Sequence, residues 1–108
     1  MYIIIAGGGV TGRNLTKELV ENHDVIVIDV NQDVCERIYS QYGAVSICGN
    51  ATNLNVLKEA GLEKADIAIG VMSTDADNLA FSLLAKNHNV EQIMVRMRDP
   101  DYKSAYKL

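Results

Sequence analysis

Apolar residues in this chain form short runs that alternate with longer stretches of mixed polarity. Each run is apolar almost throughout, as in residues 2–6, which is typical of a strand covered on both faces. The stretches between the runs show helical spacing, and in residues 11–21 it aligns Gly12, Leu15 and Leu19 on one face. We therefore predict strands at residues 2–6, 24–29, 44–48, 65–71 and 92–98, and helices at residues 11–21, 32–41, 53–60 and 75–86.

The alternation of strands and helices predicts βαβ units, and therefore a parallel sheet. Since crossovers between parallel strands are right-handed, few topologies are compatible with this order. We expect an α/β fold, a doubly wound Rossmann-type parallel sheet with strand order 3-2-1-4-5 and helices on both faces. Asp99 and Pro100 are typical of a helix N-cap and first helical position, so residues 101–108 are predicted to begin one more helix.

Length and composition fit one domain over residues 1–108, with 48% hydrophobic and 22% charged residues. The net charge of −4 and the lack of a basic block weigh against nucleic acid as a partner. No apolar run has the length of a membrane span or the charge pattern of a signal peptide, so we expect a cytoplasmic chain without membrane insertion. Cys35 and Cys48 lack metal or redox spacing and are interpreted as free thiols, and no metal site is expected.

Three glycines follow the first predicted strand with the spacing G-x-G-x-x-G. Gly7 permits a tight turn, Gly9 leaves room for a pyrophosphate, and Gly12 lets the helix pack closely on the strand. The amides of the first helical turn then point at the phosphates, whose charge the helix dipole favours. The loop is predicted to hold the phosphates of NAD(H) or a related adenine nucleotide, and comprises Gly7, Gly8, Gly9, Val10, Thr11 and Gly12.

Asp29 ends the second predicted strand, 17 residues after Gly12. A carboxylate at this position accepts hydrogen bonds from the ribose hydroxyls of an adenine nucleotide and repels a 2′-phosphate, so NADP is disfavoured. Val30, which follows it, is included in the predicted site. The alternative is that the glycines form a bare tight turn and Asp29 is an ordinary turn residue.

Ligands of open parallel sheets lie beyond the carboxyl ends of the strands, where this chain has further polar residues. Asn50 and Ala51 follow the third strand and are candidates to border the adenine, while Ser73 follows the fourth on the nicotinamide side. Arg96, near the end of the fifth strand, has either a phosphate or carboxylate partner or a surface ion pair with an aspartate. Helix capping is the simpler role for Thr52 or Asn53 and for Thr74.

The first twelve residues, MYIIIAGGGVTG, resemble the start of the nucleotide-binding domain of Trk-type potassium-uptake regulators, the TrkA-N, KTN or RCK N-terminal family. The resemblance covers nearly the whole chain, and its combination of motifs is more specific than the glycine spacing. Further pieces match in order and spacing at residues 27–29, 49–52, 57–61, 65–66, 78 and 95–102.

The resemblance implies regulation rather than catalysis. Domains of this family bind NAD(H), or in some members ATP or ADP, on the cytoplasmic side of a membrane potassium transporter or channel subunit. They assemble as homodimers or larger homo-oligomers, and the ligand controls potassium flux. By position, the resemblance places Val10 and Thr11 over the pyrophosphate, Asn50, Ala51 and Thr52 by the adenine, Met72, Ser73 and Thr74 along the crevice, and Arg96 at the end of the fifth strand.

Two positions depart from the family pattern. Asn50 stands where the family usually has aspartate, and Val10 stands where members that favour ATP often carry arginine. These two positions favour NAD(H), with ATP or ADP as the alternative ligand. Family members continue beyond the point where this chain stops, so the domain is expected to be truncated at its C terminus.

Three functions remain to be compared. A non-enzymatic regulatory domain is favoured because no His–carboxylate or Lys–Tyr constellation stands beside the nucleotide motif. The helix at residues 75–86 is apolar nearly all round, which indicates a subunit interface beside its contact with the sheet. The family resemblance further implies that the chain lies at the inner face of the cell membrane through its membrane partner subunit. The alternatives are the cofactor-binding fragment of an NAD-dependent dehydrogenase and a structural domain with a vestigial site.

Overall fold

Five parallel strands form the centre of the structure, a computed structural model that describes residues 1–106. The strand order β3-β2-β1-β4-β5 and the parallel pairing confirm the predicted fold. The strands are β1 (Tyr2–Ala6), β2 (Asp24–Asp29), β3 (Val45–Cys48), β4 (Ile67–Gly70) and β5 (Gln92–Val95).

Helices cover both faces of this sheet. They are α1 (Val10–Leu19), α2 (Gln32–Tyr42), α3 (Leu54–Glu59), α4 (Asp75–Asn87) and α5 (Pro100–Tyr106). Successive side chains of a strand point to opposite faces, so Ile3 and Ile4 of β1 enter different hydrophobic clusters. Ile38 of α2 packs in the cluster of Ile3, and Phe81 of α4 packs in the cluster of Ile4. The core therefore has two layers, with α1 and α2 on one face and α3 and α4 on the other.

Strands β4 and β5 are shorter than predicted, the first because of a local turn and the second because of a long-range contact. Ala65 closes a short 3-10 helix (Leu62–Lys64) that the sequence did not predict, and its N–H donates to the carbonyl of Leu62. After β5, the N–H groups of Arg98 and Asp99 donate to the carboxylate of Asp75 on α4, which takes these residues away from the sheet. The predicted strand residues that lie outside β4 and β5 are 65–66, 71 and 96–98.

The end of the first helix also differs from its predicted position, whereas the last helix begins as predicted. Helix α1 ends at Leu19 rather than at residue 21, because the N–H of Val20 makes the closing bond to Thr16. Helix α5 begins at Pro100, and Asp99 caps it by accepting from the N–H of Asp101. The predicted continuation over residues 107–108 lies outside the described part of the chain.

Two glycines set the approach of α1 to the end of β1. Gly7 has φ +111°, and a Cβ on it would lie 2.7 Å from the carbonyl oxygen of Val71. A Cβ on Gly12 would lie 1.8 Å from the carbonyl oxygen of Gly7. The first turn of α1 therefore rests directly on the backbone of the loop, in the conformation predicted from the glycine spacing.

Substitution Gly12→Ala is expected to lower the free energy of unfolding by about 3 kcal/mol, because helix and loop must move apart to admit the methyl group. Gly9→Ala is the matched control, since a Cβ on Gly9 meets nothing within 4 Å and only the N-cap preference is lost, about 1 kcal/mol. Urea unfolding of both variants measures the difference. Equal losses would show that the close approach at Gly12 is not what limits this position.

Candidate functional site

A crevice of about 350 Å³ opens at the carboxyl ends of β1, β2 and β4. The chain reverses its winding direction between β1 and β4, and such a switch point is where open α/β sheets bind ligands. The predicted site residues that line the crevice are Gly7, Gly9, Asp29, Val30, Asn50, Ala51, Met72, Ser73 and Arg96. Gly8, Val10, Thr11, Gly12, Thr52 and Thr74 are not among its lining residues.

The carboxylate of Asp29 joins the end of β2 to the glycine loop. Its Oδ2 accepts from the N–H of Gly8 at 2.8 Å, and its Oδ1 accepts from the N–H of Asn31 at 2.9 Å. Each carboxylate oxygen has two acceptor positions, so both retain capacity for a hydroxyl group in the crevice. Asp29 thus shapes the turn and also faces the space in which a ribose was predicted.

The N-terminus of α1 faces the same space. Gly9 is its N-cap and supplies no side-chain acceptor, and the first turn carries no acidic residue. The first amides of a helix lack acceptors within the helix and carry its positive dipole end. Gly9 is exposed, and Val10 beside it is 67% exposed. This edge of the crevice therefore offers backbone donors to an anion without a side chain in the way.

The guanidinium group of Arg96 is used to fix the crevice wall. Its Nη2 donates to the carbonyl oxygens of Val71 at 3.1 Å and Met72 at 2.8 Å, and its Nη1 donates to the hydroxyl of Thr11 at 3.2 Å. The predicted alternative partner of Arg96, an aspartate, is not among these acceptors. Its Nε is buried and has no acceptor within the described residues. Arg96 therefore links β4, β5 and the start of α1.

Asn78 on α4 holds the neighbouring loop in place. Its Oδ1 accepts from the N–H of Met72 at 2.8 Å, while its Nδ2 donates to the carbonyl oxygens of Met72 and Arg96 at 3.1 and 3.0 Å. Thr74 caps α4 as predicted, because its hydroxyl accepts from the N–H of Asp77 at 3.2 Å. The wall formed by residues 71–74 is thus set by hydrogen bonds of buried or capping side chains.

Asn50 plays the corresponding role after β3. Its Oδ1 accepts from both the N–H and the hydroxyl of Thr52, at 2.9 and 2.7 Å. Of the two predicted caps of α3, Asn53 is the one used, since its Oδ1 accepts from the N–H of Asn55 and Val56. The loop that was assigned to the adenine is therefore a preformed turn.

Several lining residues were not predicted as site residues. Arg98 stands two positions after Arg96 and lines the crevice with it. The other additions are Ile28, Gly49, Val71 and Asp77. The lining includes two basic residues, Arg96 and Arg98, and two acidic ones, Asp29 and Asp77, so its formal charge is balanced.

Asp75, at the start of α4, holds the segment between β5 and α5. Its two carboxylate oxygens accept from the N–H groups of Arg98 and Asp99, at 2.9 and 2.7 Å. These two hydrogen bonds, with the nearby positive charges of Arg98 and Arg96, hold the pKa of Asp75 below its usual value despite some desolvation. The carboxylate is therefore the form that fixes this segment.

Residues 1–106 bear on two further features, a metal centre and a membrane-spanning helix. In this part of the chain no group of three or more His, Cys, Asp or Glu side chains is placed to hold a metal ion. No helix there is long and apolar enough to cross a membrane.

Comparison with known proteins gives a consistent family. The model of the TrkA-N domain matches residues 3–108. A Trk system potassium uptake protein TrkA homolog of Archaeoglobus fulgidus is 41% identical over 102 residues, which is 94% of this chain and 23% of the relative. A homolog of the same name from Methanothermobacter thermautotrophicus is 32% identical over 108 residues, 99% of this chain and 50% of the relative. The chain thus spans half or less of the length of these relatives.

Solved structures share the fold at low identity. The TrkA-N domain of the inner membrane protein ybaL from Escherichia coli superposes with a TM-score of 0.89 at 20% identity, covering 98% of this chain and 79% of that one. The GsuK channel bound to NAD superposes with a TM-score of 0.83 at 23% identity, covering 98% and 19%. GsuK bound to ADP gives a TM-score of 0.82 at 23% identity, covering 98% and 28%.

Substitution Asp75→Asn is expected to destabilise the segment from Arg98 to Asp99 at neutral pH, because an amide cannot accept from both N–H groups. The pKa of Asp75 is lowered by folding, so its stabilisation is fully present above the unfolded pKa of about 3.9 and is lost as pH falls through the folded value. Urea unfolding should therefore show a stability gap between wild type and variant at pH 7 that closes in acid.

Asp77→Asn is the matched control, because it removes a charge from the same helical turn without touching the N–H groups of Arg98 and Asp99. Amide hydrogen exchange should become faster at those two residues in Asp75→Asn only. An equal effect in both variants would assign the stabilisation to the helix dipole instead.

Proposed function

Because the chain belongs to the TrkA-N domain family, we propose that residues 1–108 form the nucleotide-sensing domain of a potassium-uptake regulator. The curated relatives are Trk system potassium uptake proteins, of which the chain spans half or less. The observation that carries the proposal is the hydrogen bond of Asp29 to Gly8, which places a carboxylate beside the open N-terminus of α1. An adenine nucleotide needs both features, donors for its phosphates and an acceptor for its ribose.

The proposed ligand is NAD(H). In the proposed mode the phosphates lie on the amides of residues 9–12, the ribose hydroxyls donate to Asp29, and the adenine lies beside Val30, Asn50 and Ala51. The second half of a dinucleotide extends along Met72 and Ser73 toward Arg96. The structures of GsuK bound to NAD and to ADP show that related folds hold either class of ligand. Asn50 and Val10 lack the charges that an aspartate or an arginine would bring, and this favours NAD(H).

Regulation is favoured over catalysis because the polar side chains in and beside the crevice are used to hold its walls. Arg96, Asn78 and Asp75 each bond to backbone groups of neighbouring loops, so they hold the walls of the crevice. Family membership supports the same reading, since TrkA-N domains are regulatory modules that bind nucleotide. The proposed output is control of potassium flux through a membrane transporter or channel subunit at the inner face of the membrane.

The proposed route to a partner is the outer side of α4. Helix α5 packs against α4, which covers part of the surface that the sequence assigned to a subunit interface. Leu83 remains 49% exposed, and Leu79 and Ala80 are half-buried. An apolar strip beside the crevice wall suits a homodimer contact that responds to the ligand.

Asp29→Asn is expected to narrow the preference for NADH over NADPH by roughly tenfold, because the charge that repels a 2′-phosphate is removed. The ratio of the two affinities is the informative quantity, since any loosening of the loop at Gly8 affects both ligands equally. Calorimetric titration measures it. Asp33→Asn, an exposed neighbour at the start of α2, changes the net charge equally and should leave the ratio unaltered. A constant ratio in Asp29→Asn would remove Asp29 from the ribose site.

Gly9→Val is expected to weaken NADH binding at least about a hundredfold, because its side chain would fill the space proposed for the pyrophosphate. That space is open, so the fold should be retained with a small loss of stability. Gly43→Asn is the control, a glycine outside the crevice whose left-handed φ of +69° asparagine tolerates. Unchanged NADH affinity in Gly9→Val would place the phosphates elsewhere.

A further inference from the structure

Folding brings the two cysteines of the chain together at the end of β2. Cys48 is the last residue of β3 and is the register partner of Asp29, while Cys35 approaches the same position from α2. The thiol of Cys35 donates to the carbonyl oxygen of Asp29 at 3.3 Å. The thiol of Cys48 donates to the carbonyl oxygen of Val30 at 3.4 Å. The two sulfur atoms are therefore held on consecutive peptide groups.

The surroundings of the two thiols differ. Cys35 is buried and Cys48 is exposed, and both line a shallow groove beside Tyr39 and Ser46. Burial and the neighbouring thiol of Cys48 raise the pKa of Cys35 to about 11. At neutral pH Cys35 thus stays protonated, and Cys48 is the sulfur that a solute reaches first.

We propose that Cys35 and Cys48 are a redox modification site, which hydrogen peroxide closes into a reversible disulfide that weakens nucleotide binding. The weakening rests on the proposed function, whereas the disulfide does not. Disulfides in reducing compartments are usually transient and redox-sensing, and the combination of one exposed and one buried thiol fits that use.

The chemistry needs only peroxide as oxidant. The thiolate of Cys48 attacks one peroxide oxygen, an S–O bond forms, the O–O bond breaks, and the hydroxide that leaves takes up a proton as water. The sulfur of Cys35 then attacks the sulfenic sulfur of Cys48, an S–S bond forms, and the hydroxyl group leaves as a second water with the thiol proton. Two thiols are oxidised and one peroxide is reduced. A dithiol reverses the step by thiol–disulfide exchange.

The disulfide acts on the crevice through the two carbonyl groups that accept hydrogen bonds from the thiols. Its formation removes both S–H donors, so the carbonyl oxygens of Asp29 and Val30 lose these partners. It also draws the sulfur atoms to about 2.05 Å, which pulls α2 toward β3. Asp29 anchors the N–H of Gly8, so the change reaches the glycine loop directly. We expect NADH affinity to fall roughly three- to tenfold.

The test treats the chain with hydrogen peroxide and follows intact mass, non-reducing peptide mapping and NADH affinity. Wild type should lose two hydrogen atoms as a monomer, yield a peptide pair joined at Cys35 and Cys48, and recover both thiols and affinity with dithiothreitol. Cys48→Ser is the matched control, because its hydroxyl retains a donor for Val30 and its exposed position tolerates the change. Its NADH affinity should equal that of reduced wild type, and treatment with peroxide should leave this affinity unchanged.

Three results would overturn the proposal. Oxidation that yields only disulfide-linked dimers, or sulfinic acid on Cys48 with Cys35 still alkylated by N-ethylmaleimide, would exclude the internal disulfide. An internal disulfide with unchanged NADH affinity would exclude its effect on the crevice. Failure to bind NADH in both redox states would refute the proposed function. The intact mass and the peptide map would then still test whether the disulfide forms.

Discussion

The contact between the first turn of α1 and the backbone of the glycine loop is the constraint on which the rest of the structure depends. It exists because Gly12 has no Cβ and because Gly7 adopts a left-handed conformation against Val71. Two further hydrogen bonds hold the loop. Asp29, at the end of β2, accepts from the N–H of Gly8, and Arg96, beyond β5, donates to the hydroxyl of Thr11. Three strands therefore hold one short loop, and the amides of α1 are aimed before any ligand arrives.

This arrangement separates the groups that are available to a ligand from the side chains that hold the walls of the crevice. Many of the polar side chains nominated as ligand contacts, such as Asn50 and Arg96, bond to neighbouring loops instead. The groups left for a ligand are largely backbone amides and the spare acceptor positions of Asp29. A preformed crevice of this kind loses little conformational entropy on binding, which is the advantage of fixing the walls with internal hydrogen bonds.

Sequence predicted what depends on local pattern and missed what depends on distant contacts. The continuous apolar runs gave β1 and β2 correctly, and the glycine spacing gave the loop, because each signal lies within a few residues. The start of β4 was wrong for a local reason, a 3-10 helix (Leu62–Lys64) that the sequence analysis did not predict. The end of β5 was wrong because Asp75, more than twenty positions away, bonds to Arg98. The pairing of Cys35 with Cys48 has no local signal either, since only the register of β3 against β2 creates it.

The hydrogen bonds of Asp75 have a consequence for the end of the chain. Its carboxylate accepts from the N–H groups of Arg98 and Asp99, while Asn78, on the same helix, accepts from the N–H of Met72. Asp75 and Asn78 thus attach the segment before α5 and the loop at Met72 to the same helix. The direction in which the chain leaves the sheet is therefore set by α4, the helix that also positions one wall of the crevice.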